Sequence, residues 1–161
     1  MENAPTPLFD THCHLQDPGL VAQIYDVVHR SKVVGVVRML CCGVAEDDWA
    51  KVLELAARFP RVTPALGLHP LYVARRSPQW LETLTALVKD SGAVIGEIGL
   101  DHAVKPRNDK EQEEVFLCQL ELARELNRPV SIHCRQAWGR MPGLLLSSGI
   151  PKAGAVIHSY S

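Results

Sequence analysis

Short β-branched apolar runs alternate with amphipathic helical stretches along the whole chain, and this alternation limits the fold more than any other feature. Pro7-Leu8-Phe9-Asp10 leads into a first strand ending near His12, and helical spacing covers Leu20 to Ser31. Val33 to Cys41 reads as strand two and Glu46 to Phe59 as helix two, with acidic residues in the first turn and Pro60 just beyond. Val62 to Leu68 reads as strand three. A helix with Ser77 as N-cap and Pro78 at its first position follows. Ala93 to Glu97, Pro129 to His133 and Ala153 to His158 read as strands four to six. Helices over Asp109 to Leu126 and Trp138 to Ser147 separate them.

Strands of this kind, joined by helices of ten or more residues, pair in parallel through right-handed crossovers and are buried on both faces. No repeat or low-complexity linker divides the chain, so residues 1–161 are expected to form a single α/β domain. With 17 Lys and Arg against 18 Asp and Glu, and 47% apolar residues, the chain reads as an ordinary globular protein. That balance offers no basic stripe for sequence-independent coating of nucleic acid. Polyanionic substrates stay open, because bound cations do not appear in a residue count. No apolar run reaches the roughly 18 residues of a membrane span. The first ten residues lack a basic segment followed by an apolar one, so no secretory signal is read and a cytoplasmic location is expected. Cys13, Cys41, Cys42, Cys118 and Cys134 are an odd set without C-x-x-C spacing, as expected for reduced thiols.

The chemistry gathers at strand ends. His12 and His14 are two apart on a strand and so share one face, with Cys13 on the other. Glu97 follows the apolar Ala93-Val94-Ile95-Gly96, His133 follows Val130-Ser131-Ile132, and His158 follows Ala155-Val156-Ile157. Residues that close successive parallel strands meet on one face, and in barrels that face carries the active site. Each alone has an ordinary reading: a loop-boundary side chain, a salt-bridged glutamate, a histidine bonded to a backbone carbonyl. Four histidines and one glutamate together point to metal. Imidazole with carboxylate suits Zn, Mn, Co or Ni better than Mg. The expected division puts His12 and His14 on one ion, His133 and His158 on a second, and Glu97 between them. Paired ions about 3.5–4 Å apart support hydrolysis, most naturally of phosphate esters.

The chain resembles the TatD family of metal-dependent deoxyribonucleases, within the amidohydrolase-like TIM barrels. The residues that carry the resemblance are Phe9-Asp10-Thr11-His12-Cys13-His14-Leu15, Gly67-Leu68-His69-Pro70 and Gly96-Glu97-Ile98-Gly99-Leu100-Asp101. Gln112, Phe116 and Gln119-Leu120-Glu121-Leu122-Ala123 follow, then Arg128-Pro129-Val130-Ser131-Ile132-His133-Cys134-Arg135 and Ile157-His158-Ser159-Tyr160-Ser161. The resemblance implies a (β/α)8 TIM-barrel type, incomplete here, with about six parallel strands and five helices. It also implies two divalent ions on the five residues above. His69 and Arg135 would lie near the substrate phosphates, and the reaction would be hydrolysis of phosphodiesters in DNA.

Members of the family run on for about two more strand–helix units and provide a further aspartate for the first metal; a complete barrel takes about 250 residues. The sequence therefore leads to the expectation of a C-terminally truncated domain with unpaired backbone on strands one and six. The first expectation is a gene fragment or an incomplete gene model; the alternative is self-association, or complementation by a second chain, through those edges. Asp10 is expected to orient a histidine ligand rather than act as a base. Two other functions compete: a metal-dependent hydrolase of another ester or amide, and an inactive metal-binding fragment. A strand-end lysine at the bridging position would favour the former, and the sequence has Glu97 there.

Overall fold

The computed structural model describes residues 6–159. Tyr160 and Ser161 of the last matched motif lie outside them, as do the first five residues of the N-terminal segment. The elements, in order, are β1 (Leu8–Cys13), α1 (Ile24–Val33), β2 (Val36–Cys42), α2 (Glu46–Arg58), β3 (Val62–Leu66), α3 (Trp80–Ser91), β4 (Val94–Asp101), α4 (Asp109–Glu125), β5 (Val130–Arg135), α5 (Met141–Ser148) and β6 (Ala155–Ile157). The six strands form one sheet in the order β1-β2-β3-β4-β5-β6, and every neighbouring pair is parallel. Each strand pairs with the next in sequence, so the crossovers all step in one direction and the sheet curls into an incomplete barrel of the (β/α)8 type.

The apolar faces of the helices close over the strands. Trp49 and Val52 of α2, Leu84 and Val88 of α3, and Val115, Phe116, Leu120 and Ala123 of α4 are buried with Leu66, Ile95, Ile98 and Ile132 of the sheet. These residues belong to one contiguous cluster, and Leu40, Cys42 and Ala65 form a second, smaller one. At the sheet margins the burial lapses: Leu8 and Phe9 on β1, Val156 on β6, and Leu146 and Ile150 around α5 are exposed. No described helix is long and apolar enough to cross a membrane.

Several boundaries differ from the sequence reading, each for a local reason. Val33 ends α1 and Val34 caps it, so β2 begins only at Val36; a β-branched pair at a helix end is indistinguishable in sequence from a strand start. Ser77 does not cap α3, which starts at Trp80 behind Gln79. The Ser77 N–H and hydroxyl instead donate to the Glu46 carboxylate, each at 2.7 Å, tying this loop to the start of α2. Residues Trp138 to Arg140 precede α5 rather than opening it, and Leu20 to Gln23 form a cap and short 3-10 turn before α1.

The main departure concerns β4, which does not stop at Glu97 but continues to Asp101. Gly96 and Gly99 look like strand breakers in sequence, yet Gly99 is required by the sheet itself. Its φ is +145°, and a Cβ there would fall 1.9 Å from the His133 carbonyl oxygen on β5. Glu97 therefore sits inside a strand, at an irregularity of the β4–β5 ladder between Ile95 and Ile98. Such a bulge re-aims a side chain.

Candidate metal centre

Glu97 is the hub of the carboxyl end of the sheet. Its side chain is only 4% exposed, so its charge must be compensated by neighbours rather than by water. Its backbone N–H donates to the Gly43 carbonyl just past β2 (3.1 Å), which anchors the bulge. Five imidazoles surround the carboxylate, and they divide between its two oxygens. His12 Nε2 and His14 Nε2 lie 3.2 Å and 3.4 Å from Oε2. His158 Nε2, His133 Nδ1 and His69 Nε2 lie 2.7 Å, 3.0 Å and 3.4 Å from Oε1.

The other ring nitrogen of each histidine reveals how it is aimed. His14 donates its Nδ1–H to the Cys42 carbonyl (2.8 Å), so Nε2 is the nitrogen left to donate to Glu97 when it is protonated and to bind an ion when it is not. His133 lies between two carboxylates, with Nε2 at 3.2 Å from Asp101 and Nδ1 at 3.0 Å from Glu97, so a protonated ring donates to both and a neutral ring that keeps its proton toward Asp101 frees Nδ1 for an ion. This carboxylate–imidazole arrangement is the usual support of a metal-ligating histidine. His12 places Nδ1 beside Ser131 Oγ (3.4 Å) and Cys42 Sγ (3.5 Å), and its Nε2 is 3.1 Å from His14 Nε2. His158 places Nδ1 at 3.2 Å from Ser159 Oγ. His69 is opposite in polarity: its Nδ1 accepts the Leu71 N–H (3.1 Å), so the neutral ring carries its proton on Nε2.

The electrostatics follow from burial and these contacts. Burial pushes the Glu97 carboxyl up, but hydrogen bonds from His12, His133, His14 and His158 outweigh it and hold the group well below the usual carboxylate range. The Glu97 bond raises His14. His133 is lowered by burial but raised more by Glu97 and Asp101, and ends above the ordinary imidazole value. His69 goes the other way, because burial outweighs its contact with Glu97 and favours the neutral ring.

His12, His14, Glu97, His133 and His158 thus converge in one cluster, and His69 joins it directly. His12, His14 and Glu97 form one group with donor atoms close enough to share an ion; His69, Glu97 and His133 form another. Arg135, by contrast, is largely exposed at the end of β5, and its nearest acidic atom is Asp101 Oδ2 at 3.9 Å. Asp10 receives the His12 backbone N–H (3.2 Å), so it holds the strand rather than an imidazole ring. Asp101 serves two ends: Oδ1 accepts the Ala103 N–H (2.8 Å) and stabilises the turn, while Oδ2 faces His133.

Sequence reasoning assigned no role to the polar residues beneath the cluster. Gln16 donates to the Cys42 carbonyl (2.7 Å) and to Asp48 (3.0 Å), and Asp48 accepts the Val44 N–H (3.0 Å) and Ala45 N–H (3.3 Å). Trp49 Nε1 donates to the Gly67 carbonyl (2.9 Å), and the His69 N–H donates to the Val44 carbonyl (2.9 Å). The signal for Asp48 was present as an acid in the first turn of a helix lacking a polar N-cap. All five cysteines are free.

The ligand set suits a divalent transition ion: imidazole nitrogens gathered at the two oxygens of one carboxylate, where an ion would replace the protons they share with it. The chain matches the description "TatD related DNase" over residues 9–161. It is 30% identical to the human protein named deoxyribonuclease TATDN3, covering 99% of this chain and 63% of that one. It is 33% identical to the 3'-5' ssDNA/RNA exonuclease TatD of Salmonella typhimurium, covering 96% of this chain and 60% of the relative. The crystal structure of the TatD homologue YJJV from Escherichia coli superposes with a TM-score of 0.89 at 29% identity, covering 96% of this chain and 60% of that chain. The chain therefore spans about three fifths of the length of these relatives. Sequence match, fold and strand-end chemistry agree: this chain belongs to the TatD related DNase family.

Proposed function

We propose that residues 1–161 are a partial TIM-barrel domain of a hydrolase that cleaves phosphodiester bonds in nucleic acid with two divalent ions. The observation that carries the reading is the division of imidazoles between the oxygens of Glu97: His12 and His14 at Oε2, His133 and His158 at Oε1. His12 and His14 would hold one ion and His133 and His158 a second, with Glu97 shared between them, and Zn, Mn, Co or Ni would suit these ligands better than Mg. The relatives named above, a deoxyribonuclease and a single-strand exonuclease, support DNA as substrate.

Divalent ions held there supply Lewis acidity toward a phosphoryl oxygen and activate water. The chain's own residues do the rest. Asp101 and the Cys42 carbonyl fix the orientation of His133 and His14. His69 is neutral and carries its proton on Nε2, so it acts as a hydrogen-bond donor toward a substrate phosphate rather than as a ligand. Tyr72 lies with its ring 6.2 Å from that of His69, and Arg75 sits over Tyr72 at 5.6 Å. An aromatic ring with a guanidinium beside it, and the exposed Arg135 at the end of β5, suit a single-stranded nucleic acid.

The test is hydrolysis of single-stranded DNA by the purified chain with added Mn or Zn, alongside metal analysis. Two ions per chain, with cleavage abolished in His12→Ala and Glu97→Ala, support the proposal. Equal cleavage in wild type and both variants would identify a contaminant and remove it. Bound metal without cleavage of any phosphodiester would favour the inactive metal-binding reading.

A further inference from the structure

Helix α4 carries two glutamines, Gln112 and Gln119, that are fully buried. They are seven positions apart, almost two whole turns, so they project from the same face of the helix. Each grips the backbone of one residue through both ends of its amide. The Leu68 N–H donates to Gln119 Oε1 (2.7 Å), and Gln119 Nε2 donates to the Leu68 carbonyl (3.2 Å). The Asp101 N–H donates to Gln112 Oε1 (2.8 Å), and Gln112 Nε2 donates to the Asp101 carbonyl (3.0 Å) and to Asn108 Oδ1 (2.7 Å).

These are the two bonds that a neighbouring strand would have made. β3 ends at Leu66 while β4 runs on to Asp101, and their ladder covers only Ala65 with Val94 and Leu66 with Ile95. Beyond it, Leu68 has left the sheet. On the other side of β4 the His102 N–H bonds to Arg135 of β5 (2.9 Å), so the N–H and C=O of Asp101 point away from β5, toward the gap that β3 has vacated. Buried peptide groups there require partners, and α4 supplies them. Leu68 immediately precedes His69, and Asp101 bears the carboxylate that faces His133.

We infer that Gln112 and Gln119 are positioning residues: a two-point clasp by which α4 sets His133, through Asp101, and His69, through Leu68, against the Oε1 side of Glu97. The His12 and His14 side is aimed by Cys42 instead and lies outside the clasp. The inference rests on the metal-centre reading for its consequence, but the geometry of the clasp is independent of it.

The test compares Gln112→Met, Gln119→Met, the milder Gln112→Glu and Gln119→Glu, and the core control Leu120→Met on the same helix. The first readout is the 15N-resolved spectrum of the imidazoles in metal-free protein, which reports tautomer and environment whether or not an ion is ever bound. Changes at Gln112 are expected to move the His133 signals, and those at Gln119 the His69 signals, with His12 and His14 unmoved in both. The second readout is metal affinity, expected to fall about tenfold for the more weakly held ion in the Gln112 variants, the scale for removing support behind a ligand. Leu120→Met is expected to alter melting alone. The inference is overturned if every variant that folds keeps the imidazole spectrum of wild type, whatever its melting temperature. Failure of wild type to bind metal would instead count against the metal-centre reading, with the spectra still deciding the clasp.

Discussion

His12 and His158 stack ring on ring, with centroids 3.7 Å apart and planes only 6° from parallel. One lies on β1 and the other directly follows β6, the opposite margins of the sheet. In a flat sheet five strand spacings would separate them by about 24 Å. Their contact shows that the carboxyl ends of the strands have curled almost into a ring around Glu97, although β1 and β6 exchange no ladder hydrogen bonds among the described residues.

A divalent ion bound at this ring should therefore act as a staple between the free margins. At a ligand concentration about a hundred times Kd the stabilisation is about 2.7 kcal/mol, worth about 5–10 °C in melting temperature for a chain of this size. Thermal unfolding with Zn or Mn, and again after chelation, measures it. Hydrogen exchange at β1 and β6 should slow in parallel. His158→Ala should retain only part of the shift.

Glu97→Gln tests the hub. The neutral amide keeps the volume but offers one acceptor oxygen and no charge to the imidazoles that divide between Oε1 and Oε2. A loss of roughly a hundredfold in metal affinity, about 2.7 kcal/mol, is expected. Competition against a chromophoric chelator reads it directly, and an unchanged affinity would show that Glu97 is not a ligand.

The metal-free chain and its metal complex should respond to pH with opposite signs. Glu97 is depressed below its ordinary value of 4.5, so its contribution is present above that value and is lost only as pH falls through the much lower folded value. His14 and His133 are raised above 6.5, so their contribution is complete below 6.5 and is lost as pH rises through their folded values. Unfolding of the chelated protein by urea should thus show stability falling as pH rises above 6.5, an effect weakened in Glu97→Gln. Metal affinity should rise over the same interval, because ligation needs neutral imidazole.

Gly99→Ala should be among the most damaging single-methyl substitutions. The new Cβ would meet the His133 carbonyl at 1.9 Å in a backbone conformation that side chains rarely adopt. Separation of β4 from β5 at this point is expected to cost about 3 kcal/mol and to displace His133. Equilibrium denaturation compared with Gly139→Ala, whose Cβ meets nothing within 4 Å, checks it.

The thiols offer a probe of the same region. Cys41 and Cys42 are completely buried, and burial together with the nearby Glu97 charge pushes the Cys42 thiol up. Mass spectrometry after alkylation of the native chain should find both unmodified, with Cys118 reacting first, and full labelling of all five only in denaturant.

The α/β class, the parallel strands and the strand-end histidines could be read from the chain without coordinates. Apolar runs followed by His12, His133 and His158 carry their meaning locally, because a parallel strand brings whatever closes it to one end of the sheet. Glu97 was legible as a site residue but not as a mid-strand one: Gly96 and Gly99 mimic a loop, and only the approach of β5 explains them. His69 and Asp101 had ordinary local readings as a loop histidine and a turn acid. Their contacts with Glu97 and His133 join residues 28 and 32 positions apart and cannot be inferred from periodicity. Gln112 and Gln119 show the limit most clearly. Composition marks them as polar residues on a helix, which belong on a solvated face, and they are buried because a strand two crossovers away stops short and leaves peptide groups without partners. Local pattern settles which elements form and which residues end them; where backbone is left unpaired, and which side chain must reach in to satisfy it, depends on how unequal strands align, and that is decided only when the sheet is assembled.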